Sequence, residues 1–234
     1  MTYVIQPPAV AAVPVTDGRS FPVHRIYCVG RNYAEHAVEM GHTGREPPFF
    51  FMKPADAVLP VADGQIGRMA YPPMTSNLHH EIELVVALGA GGRDVPVERA
   101  AELIWGYAIG LDMTRRDLQN DMKKQGRPWS IGKGFDHSAP IGPIHPKAGT
   151  GELLKGAITL DVNGQRRQTG DLSDLIWSVS ETIATLSRAW TLAPGDLIYT
   201  GTPAGVGAVV AGDRLVGAIE GLGQLQLDIV LAEV

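Results

Sequence analysis

The chain has 234 residues, of which 44% are hydrophobic and 19% charged, and it contains 28 Gly and 17 Pro. This composition is typical of a soluble globular protein rich in turns, and the length is sufficient for one domain with a sizeable core. The formal net charge of -5 and the 6% aromatic content exclude the usual nucleic-acid-binding surfaces, which are basic and carry stacking aromatic side chains.

The N-terminal segment, MTYVIQPPAVAAVPV, lacks the basic start of a secretory signal and is interrupted by prolines. No apolar run approaches the roughly 18 residues that a membrane span requires. We predict an N-terminal arm over residues 1–20 and a single domain over residues 21–234. Cys28 is the only cysteine and lies in an apolar run, so we predict that its thiol is buried. Because a secretory signal and a membrane span are both missing from the sequence, we also predict a cytoplasmic protein without a membrane partner.

The first half of the chain combines short strands with a short helix. HRIYCVGRNY indicates a strand that ends at Gly30, and the residues after it predict a helix over 35–40. HHEIELVVALG, residues 79–89, indicates a buried strand with two different faces. One face is wholly aliphatic, whereas Glu81 and Glu83 share the other.

Helix and strand signals then alternate. VERAAELIWGYAIGLDMTRRDLQ predicts a helix, a buried strand over residues 107–111 and a second helix that begins near Asp112 or Thr114. In AITLDVNGQRRQTG, Asn163 and Gly164 separate two short alternating segments, which is a strong signal for a β-hairpin.

The C-terminal part begins with the clearest amphipathic helix of the chain, over residues 174–190, where apolar residues recur at spacings of three and four. Three strand-like segments follow: LIYTGTP, DRLVGAIEG and GQLQLDIVLAEV. The predicted fold class is therefore α+β and β-dominated, with mostly antiparallel or mixed pairing.

The two glutamates of HHEIELVVALG need a nearby positive charge. If both stay ionised on a buried strand, their repulsion and desolvation must be offset, or one of them takes up a proton. A divalent metal ion meets this need, and Asp112, at the end of a neighbouring strand, supplies a third oxygen ligand. Oxygen ligands without cysteine favour Mg²⁺ or Mn²⁺, with Ca²⁺ as a further candidate.

Two simpler interpretations stay open at this point. The glutamates also suit an exposed strand face, and Asp112 also suits the N-cap of the following helix, a common position for aspartate. His79 shares the glutamates' face, but one of two adjacent histidines is more often hydrogen-bonded than ligating, so we leave it out of the predicted ligand set.

Several ordered blocks of sequence carry a family resemblance. They are GRNYAEHAVEMG, PPFFFMKP, HHEIELVVALG, GYAIGLDMTRRDLQ, KGFDHSAPIGP, VNGQRRQTG and GDLIYTGTPAGVG. In this order they resemble the fumarylacetoacetate hydrolase family, and within it the small bacterial members that hydrolyse fumarylpyruvate in gentisate breakdown. The resemblance runs from about Arg25 to the C-terminus. It implies a mixed β-sandwich or β-roll core with a few peripheral helices, a bound Mg²⁺ or Mn²⁺, and a homodimer.

The resemblance also implies roles for individual residues. The metal ligands fall on Glu81, Glu83 and Asp112, the residues that the charge argument selects. His36 and Glu39 fall where the family has its water-activating pair. Their spacing alone equally fits an exposed ion pair on one helix face.

Further positions match family residues around the substrate. Lys133 of KGFD matches a lysine that stabilises developing negative charge, although a surface lysine is the simpler interpretation of its position. The predicted substrate-binding residues are Arg31, Tyr33, Lys53, Arg115, Gln119, Thr200, Gly201 and Thr202. Thr200 to Thr202 offer hydroxyl and backbone N–H donors for a carboxylate. His137 departs from the small or hydroxylated residue expected at its position, so it has no assigned role.

Basic residues also cluster independently of the resemblance. Six of the 20 lie in one short window: Arg115, Arg116, Lys123, Lys124, Arg127 and Lys133. Such a cluster can attract a small dianion, although an ordinary solvated helix face produces the same run.

Together these features predict a metal-dependent hydrolase that cleaves a carbon–carbon bond of an acylpyruvate, with fumarylpyruvate as the favoured 2,4-dioxo acid. The alternatives within the family are an acylpyruvase with oxaloacetate decarboxylase activity and a dienedioate isomerase. An alternative of another class is a Ca²⁺-stabilised binding module without catalysis.

Overall fold

A computed structural model of the chain describes residues 2–33 and 45–232. The strands are, in chain order, β1 (Ala12–Pro14), β2 (Ser20–Pro22), β3 (Ile26–Gly30), β4 (Phe49–Lys53), β5 (Val58–Pro60), β6 (Ile66–Ala70), β7 (Leu78–His80), β8 (Ile82–Leu88), β9 (Ile104–Leu111), β10 (Thr114–Arg115), β11 (Ala139–Ile141), β12 (His145–Pro146), β13 (Ala157–Val162), β14 (Gln165–Asp171), β15 (Leu197–Tyr199), β16 (Gly207–Val209), β17 (Arg214–Ile219) and β18 (Gly223–Val230). The α-helices are α1 (Val97–Ala100), α2 (Arg116–Lys124), α3 (Ser130–Lys133), α4 (Lys147–Thr150) and α5 (Val179–Ala189). The predicted β-dominated α+β class is confirmed.

Two mixed sheets form the body of the molecule. The larger has the strand order β4-β3-β15-β8-β9-β11-β5, with β12 also paired to β9, and the smaller has the order β14-β13-β17-β18-β6. Most neighbours are antiparallel, but three pairs are parallel: β3 with β15, β5 with β11, and β6 with β18. The sheets approach closely, because a Cβ on Gly217 of β17 would lie 2.8 Å from Ile82 of β8. This sandwich-like arrangement agrees with the expected core. Within the described residues, no helix is both long and apolar enough to cross a membrane.

Strand β8 separates two hydrophobic clusters. The even-numbered residues from Ile82 to Leu88 belong to the cluster that the smaller sheet shares. Val85 and Ala87 point the other way, into a second cluster that includes Cys28 of β3. The two predicted faces are confirmed over β8, and each lies in a core. The single strand predicted over residues 79–89 was wrong, because the chain breaks at Glu81 and Leu78–His80 form β7 in a separate sheet.

The second cluster is closed by the hairpin of β1 and β2. Val13 and Phe21 of this hairpin are buried in the same cluster as Cys28, and Val15 bridges to Ile144. The Cys28 side chain is buried, and burial raises the pKa of its thiol well above the usual range. The prediction of a buried thiol is confirmed. Where an N-terminal arm ends and a single domain begins stays a prediction.

The hairpin of VNGQRRQTG forms as predicted. Strands β13 and β14 pair antiparallel on either side of Asn163 and Gly164, whose φ angles are +51° and +74°. Two successive positive φ angles are the requirement of the tight turn that Asn-Gly favours. This hairpin places strand β14 at the edge of the smaller sheet.

Helix boundaries differ from prediction where local capping intervenes. Helix α5 begins at Val179 rather than at residue 174, because Ser178 forms a reciprocal capping box with Glu181. Residues 172–174 form a separate 3₁₀ turn that Asp171 caps. The apolar spacing continued through this break, and it therefore predicted a helix more than one turn too long.

The segment around residue 107 also differs in detail. After α1 and a short 3₁₀ turn, the buried strand β9 begins at Ile104 rather than at residue 107. The second helix, α2, begins at Arg116, because Thr114 and Arg115 pair with β7. The predicted helix start near Asp112 or Thr114 was therefore wrong, and Asp112 is left outside any helix.

Candidate active site and metal centre

Three acidic side chains meet at one end of the larger sheet. Glu83 lies on β8, Asp112 directly follows β9, and Glu81 occupies a break between β7 and β8. Because β8 and β9 are antiparallel neighbours, the backbone N–H of Asp112 donates to the carbonyl of Glu81 at 2.8 Å. One carboxylate oxygen from each residue lies within 4.8 Å of the others. The three residues are only 1–6% exposed, so an exposed glutamate face was the wrong interpretation.

Asp112 does not cap a helix. The residue at the N-cap of α2 is Arg115, and the carbonyl of Asp112 accepts a hydrogen bond from the hydroxyl of Thr114 at 3.1 Å. Its carboxylate instead faces the two glutamates. The capping interpretation of Asp112 was therefore wrong, and the predicted convergence of three carboxylates is confirmed.

Three cations surround this acidic cluster. Lys133 Nζ lies 2.8 Å from Glu81 Oε2 and 2.6 Å from Asp112 Oδ2. Lys53 Nζ lies 2.8 Å from Asp112 Oδ1, at an angle that makes an ion pair without a hydrogen bond. The guanidinium of Arg116 donates to the other carboxylate oxygen of Glu81. Lys53 and Lys133 are almost wholly buried, so the interpretation of Lys133 as a surface lysine was wrong.

The cations act unequally on the carboxylates. Burial alone would raise the pKa of Glu81, but Lys133 and Arg116 lower it far below its usual range. Burial raises the pKa of Glu83 well above its usual range, and the charges of Asp112 and Glu81 raise it further. Burial lowers the pKa of Lys133, but Asp112 and Glu81 more than reverse this effect. Among the described residues, no lysine or arginine lies within ion-pair distance of Glu83.

The donor set fits a divalent cation. Three buried carboxylates offer oxygen ligands at close range, and Asp112 Oδ1 accepts no hydrogen bond from the described residues. The negative charge of the Glu83 carboxylate is not balanced by the neighbouring ammonium groups, as its raised pKa indicates. Hard cations such as Mg²⁺ and Mn²⁺ prefer this all-oxygen environment. The residues that would hold the ion are Glu81, Glu83 and Asp112.

The loop after β15 supports the cluster from behind. The backbone N–H of Gly201 donates to Glu83 Oε2 at 2.7 Å, and the hydroxyl of Thr200 donates to the carbonyl of Leu84 at 2.9 Å. Gly201 has a φ of +101°, and a Cβ there would lie 2.7 Å from Cβ of Asn32. Only glycine therefore allows this loop to approach Glu83 so closely.

Asn32 holds this loop in place from the other side. Its side-chain amide donates to the carbonyls of Trp177 and Thr200 at 2.9 and 2.8 Å, and its oxygen accepts from the N–H of Trp177 at 2.8 Å. The buried amide thus joins the segment after β3 to the loop after β15 and to the segment before α5.

A pocket opens onto the acidic cluster. Its lining combines the three carboxylates with basic, amide and aromatic side chains: Val29, Gly30, Arg31, Phe49, Phe51, Glu81, Glu83, Asp112, Arg116, Gln119, Trp129, Lys133 and Thr202. A second cleft shares part of this wall and extends along β4, lined by Phe49, Phe50, Phe51, Met52, Arg127, Pro128, Trp129, Ser130 and Lys133. The pocket is anionic at its base and aromatic at its rim.

Some predicted substrate-binding residues line the pocket and others support it. Arg31, Gln119 and Thr202 belong to the lining. Thr200 and Gly201 instead act through Glu83 and its strand, as described above. Lys53 lies behind the cluster, where its ammonium also donates to the carbonyls of Met113 and Lys133.

Tyr33 and Arg115 lie away from the pocket lining. Tyr33 is 2% exposed and pairs through its backbone with Leu175. The guanidinium of Arg115 donates to the carbonyl of Ile131 at 3.3 Å and stacks 4.3 Å above the ring of Phe135. The backbone of Tyr33 and the side chain of Arg115 thus contact neighbouring segments of the chain. A direct substrate contact for either residue stays a prediction.

Arg116 and the aromatic rim are additional site residues. Arg116 bridges Glu81 and Gln119, donating to Gln119 Oε1 at 2.6 Å. The spacing of Arg116 and Gln119 on one helix face was a usable signal, but basic clustering alone did not favour Arg116 over Arg115. Phe49 and Trp129 contact edge to face across the rim. Their positions far apart in the chain offered no comparable signal.

The three remaining histidine questions have different outcomes. His36 and Glu39, the predicted base pair, lie outside the described residues. His79 faces Asn77 Oδ1 at 2.9 Å and Arg116, and burial lowers the pKa of its imidazole to about 4. His137 is exposed, has a φ of +59° and lines neither pocket nor cleft.

Comparison with known sequences decides the family. The sequence model of the family described as "Fumarylacetoacetate (FAA) hydrolase C-terminal" matches residues 25–230. The chain belongs to the fumarylacetoacetate hydrolase family. The family resemblance predicted from the ordered sequence blocks is thereby confirmed.

Individual members of the family are similar over most of their length. A fumarylpyruvate hydrolase of Ralstonia sp. is 49% identical over 188 residues, which cover 80% of this chain and 95% of the relative. An oxaloacetate tautomerase of Escherichia coli is 40% identical over 202 residues, covering 86% and 90%. The crystal structure of fumarylpyruvate hydrolase from Pseudomonas aeruginosa, in complex with Mn²⁺ and pyruvate, is 56% identical with a TM-score of 0.97, covering 99% of this chain and 100% of that one.

Proposed function

We propose that this protein is a metal-dependent hydrolase that cleaves a carbon–carbon bond of an acylpyruvate, with fumarylpyruvate as the favoured substrate and fumarate and pyruvate as products. The observation that carries the proposal is the buried cluster of Glu81, Glu83 and Asp112 beside Lys133. It lies in a chain 56% identical to a fumarylpyruvate hydrolase whose structure contains Mn²⁺ and pyruvate.

The proposed cofactor is Mn²⁺ or Mg²⁺, held by Glu81, Glu83 and Asp112. When bound, such an ion supplies Lewis-acid polarisation of the substrate's 2-oxo acid oxygens and stabilisation of negative charge on them. Ca²⁺ fits the same oxygen ligands with less constrained geometry, so metal titration must include it.

The proton chemistry is assigned to His36 and Glu39. Glu39 orients the imidazole, and His36 accepts a proton from the water that attacks the carbonyl distal to the pyruvate end. Lys133 then stabilises the enolate of the departing pyruvate through its fixed ammonium. Its two contacts at 2.6 and 2.8 Å hold that ammonium at the pocket base.

The remaining site residues bind a small anionic 2,4-dioxo acid. Thr202, with the loop of Thr200 and Gly201 behind it, offers a donor to the substrate carboxylate, and Gln119 and Arg116 face the same pocket. Arg31 closes another side of it. The adjoining aromatic cleft suits the flat, conjugated acyl group, with Arg127 at its edge.

A direct assay tests the proposal. Purified protein with Mn²⁺ is mixed with fumarylpyruvate, and the loss of 2,4-dioxo acid absorbance is followed together with the release of pyruvate and fumarate. We expect equal amounts of both products. His36→Ala should reduce kcat by about 10²- to 10⁴-fold without weakening Mn²⁺ binding. Full activity of that variant excludes His36 as the base.

A second candidate activity is tautomerisation or decarboxylation of oxaloacetate, because oxaloacetate tautomerases are 40–43% identical to this chain. A dienedioate isomerase is the third family alternative. A panel of fumarylpyruvate, maleylpyruvate, fumarylacetoacetate, acetylpyruvate and oxaloacetate separates acylpyruvate hydrolysis from the oxaloacetate activity by the ratio of kcat/KM values, and a dienedioate added to the panel tests the isomerase. A Ca²⁺-stabilised binding module would turn over none of them.

The biological setting completes the proposal. We infer a cytoplasmic homodimer that acts in the catabolism of aromatic compounds through gentisate, without nucleic-acid or membrane partners. The net charge of -5 supports the absence of a polyanionic partner. Light scattering of the purified chain tests the dimer, and the mass of a monomer would contradict it.

A further inference from the structure

Gln168 is a buried amide on an otherwise exposed stretch of strand β14. The four residues around it, from Gln165 to Thr169, are exposed, whereas Gln168 has no exposed surface. Its Nε2 donates to Thr202 Oγ1 at 2.8 Å and to the carbonyl of Pro203 at 2.9 Å. Its Oε1 accepts from the backbone N–H of Ile82 at 3.2 Å. One side chain thus joins the smaller sheet to the pocket loop and to the start of β8.

The surroundings determine which way this amide points. The N–H of Ile82 can only donate, so the atom facing it must be the amide oxygen. The carbonyl of Pro203 can only accept, so the atom facing it must be the amide nitrogen. The same oxygen lies 2.9 Å from Nδ1 of His80, so that nitrogen carries a proton. No other assignment of the amide satisfies these partners.

The orientation of the amide fixes the role of the Thr202 hydroxyl. Thr202 Oγ1 accepts a hydrogen bond from Gln168, and its single proton is left to donate elsewhere. Thr202 also lines the pocket that contains Glu81, Glu83 and Lys133. The remaining hydroxyl proton can therefore serve a carboxylate oxygen of a ligand bound in that pocket.

The loop that carries Thr202 is closely packed on the same strand. A Cβ on Gly170 would lie 2.7 Å from Cβ of Pro203, and a Cβ on Gly205 would lie 2.1 Å from the carbonyl oxygen of Arg167. The loop and β14 therefore approach so closely that only glycine fits at these two positions. Gln168 lies between these two contacts, where its amide can control the hydroxyl.

We propose that Gln168 is a positioning residue: it holds the Thr202 hydroxyl as a hydrogen-bond donor to the carboxylate of a bound 2-oxo acid. This inference rests on the proposed function for the identity of the ligand. It assigns a role in the site to a residue of the VNGQRRQTG hairpin, which contributes no side chain to the pocket lining among the described residues.

Pyruvate affinity in the presence of Mn²⁺, measured by calorimetry, tests the proposal independently of turnover. Thr202→Val should raise the Kd of pyruvate about 10-fold, since it removes a hydrogen bond to a charged group. Gln168→Met should raise the Kd of pyruvate about 5-fold in the wild type and in Thr202→Ser, because both contain a hydroxyl at position 202. In Thr202→Val, which lacks that hydroxyl, Gln168→Met should raise the Kd less than about 2-fold. The exposed control Gln165→Met should leave the Kd unchanged. A general structural role for Gln168 predicts the same change in all three backgrounds.

A second variant is available if Gln168→Met does not fold. Gln168→Glu keeps an acceptor for Ile82 and His80, but its other oxygen accepts the Thr202 proton and turns the hydroxyl away from the pocket. We expect this variant to bind pyruvate at least as weakly as Thr202→Val. Folded Gln168→Glu with wild-type affinity overturns the proposal, as do equal effects of Gln168→Met in Thr202→Val and Thr202→Ser.

The two proposals fail in different ways. If the protein hydrolyses no acylpyruvate but the coupling between Gln168 and Thr202 in pyruvate binding is present, only the proposed reaction is wrong. If fumarylpyruvate is hydrolysed and the coupling is absent, only the positioning role is wrong. A wild-type protein that does not bind pyruvate with Mn²⁺ overturns the positioning proposal.

Discussion

Two groups of basic residues near the pocket differ in almost every physical respect. The inner cations, Lys53, Arg116 and Lys133, contact the buried carboxylates directly. The outer cations, Lys123, Lys124 and Arg127, are exposed, and Lys124 has only a distant partner in Asp121, at 3.9 Å. Removing an inner cation leaves a buried charge without compensation, whereas removing an outer one changes a screened interaction.

This difference shows that the number of charges in a window of sequence does not indicate their function. Arg116 and Lys123 lie two helical turns apart on α2, yet only Arg116 reaches the acidic cluster. The inner group also includes Lys53, which comes from β4, outside the window. The predictions below test this separation, from the largest expected effect to the smallest.

The largest effect should follow loss of the Glu83 carboxylate, which forms no ion pair with an inner cation. Glu83→Gln should reduce Mn²⁺ affinity about 100-fold, the scale over which ligand charge tunes divalent-ion binding, and should reduce turnover to background. EDTA should do the same to the wild type, with activity restored by Mn²⁺. Mn²⁺ titration by calorimetry provides the measurement, and the exposed Glu98→Gln is the control. Full activity in EDTA would contradict the metal assignment.

The next largest effect belongs to an inner cation that lines the pocket. Lys133→Met should lower kcat for fumarylpyruvate by about 10²- to 10³-fold, because the ammonium that stabilises the leaving enolate is lost. The matched outer variant Lys123→Met should change kcat by less than about 2-fold. Steady-state pyruvate release measures both. Similar losses in the two variants would remove the distinction between the inner and outer cations.

Lys53 should affect stability more than chemistry because it lies behind the cluster. Lys53→Met leaves Asp112 buried without one of its two cations, so the free energy of unfolding of the metal-free protein should fall by about 3–5 kcal/mol. Urea denaturation in EDTA measures this fall. Lys155→Met, an exposed control, should change it by less than about 0.5 kcal/mol. An unchanged midpoint for Lys53→Met would show that the ion pair is not needed for folding.

The smallest effect concerns Arg127 at the edge of the aromatic cleft. Arg127→Gln should lower kcat/KM for fumarylpyruvate by about 3- to 5-fold. This change corresponds to the free energy of one exposed ion pair, here between Arg127 and the distal carboxylate of the substrate. Acetylpyruvate lacks the distal carboxylate, so its kcat/KM should not change. Lys124→Gln provides the matched control on the same surface. An equal loss with both substrates would assign Arg127 to something other than the distal carboxylate.

The acidic cluster could be predicted from sequence because its signal is local. Two glutamates on one face of an apolar strand, with Asp112 at the end of another, are a conflict that a positive group or a bound proton must resolve. The prediction considered a metal ion and did not anticipate that Lys53 and Arg116 also contact the cluster. Their contacts depend on how β4 and α2 pack against the sheet end, and no spacing in the sequence encodes that packing.

The hairpin of β13 and β14 could be predicted from sequence, but its role in the site could not. The turn at Asn163 and Gly164 was predictable because two positive φ angles restrict the residues that suit it. The contact of Gln168 with Thr202 joins β14 of the smaller sheet to the loop after β15 of the larger one. Such a contact depends on how two sheets stack, so it appears only in three dimensions.

The burial of Cys28 has a practical consequence for studying the protein in solution. Its thiol has no exposed surface and a raised pKa, so little thiolate is present to react with maleimides or iodoacetamide. Because the chain contains no other cysteine, one introduced at an exposed site such as Lys123 or Arg127 would be the sole accessible thiol. A fluorophore or spin label can therefore be attached beside the pocket without first removing the native cysteine.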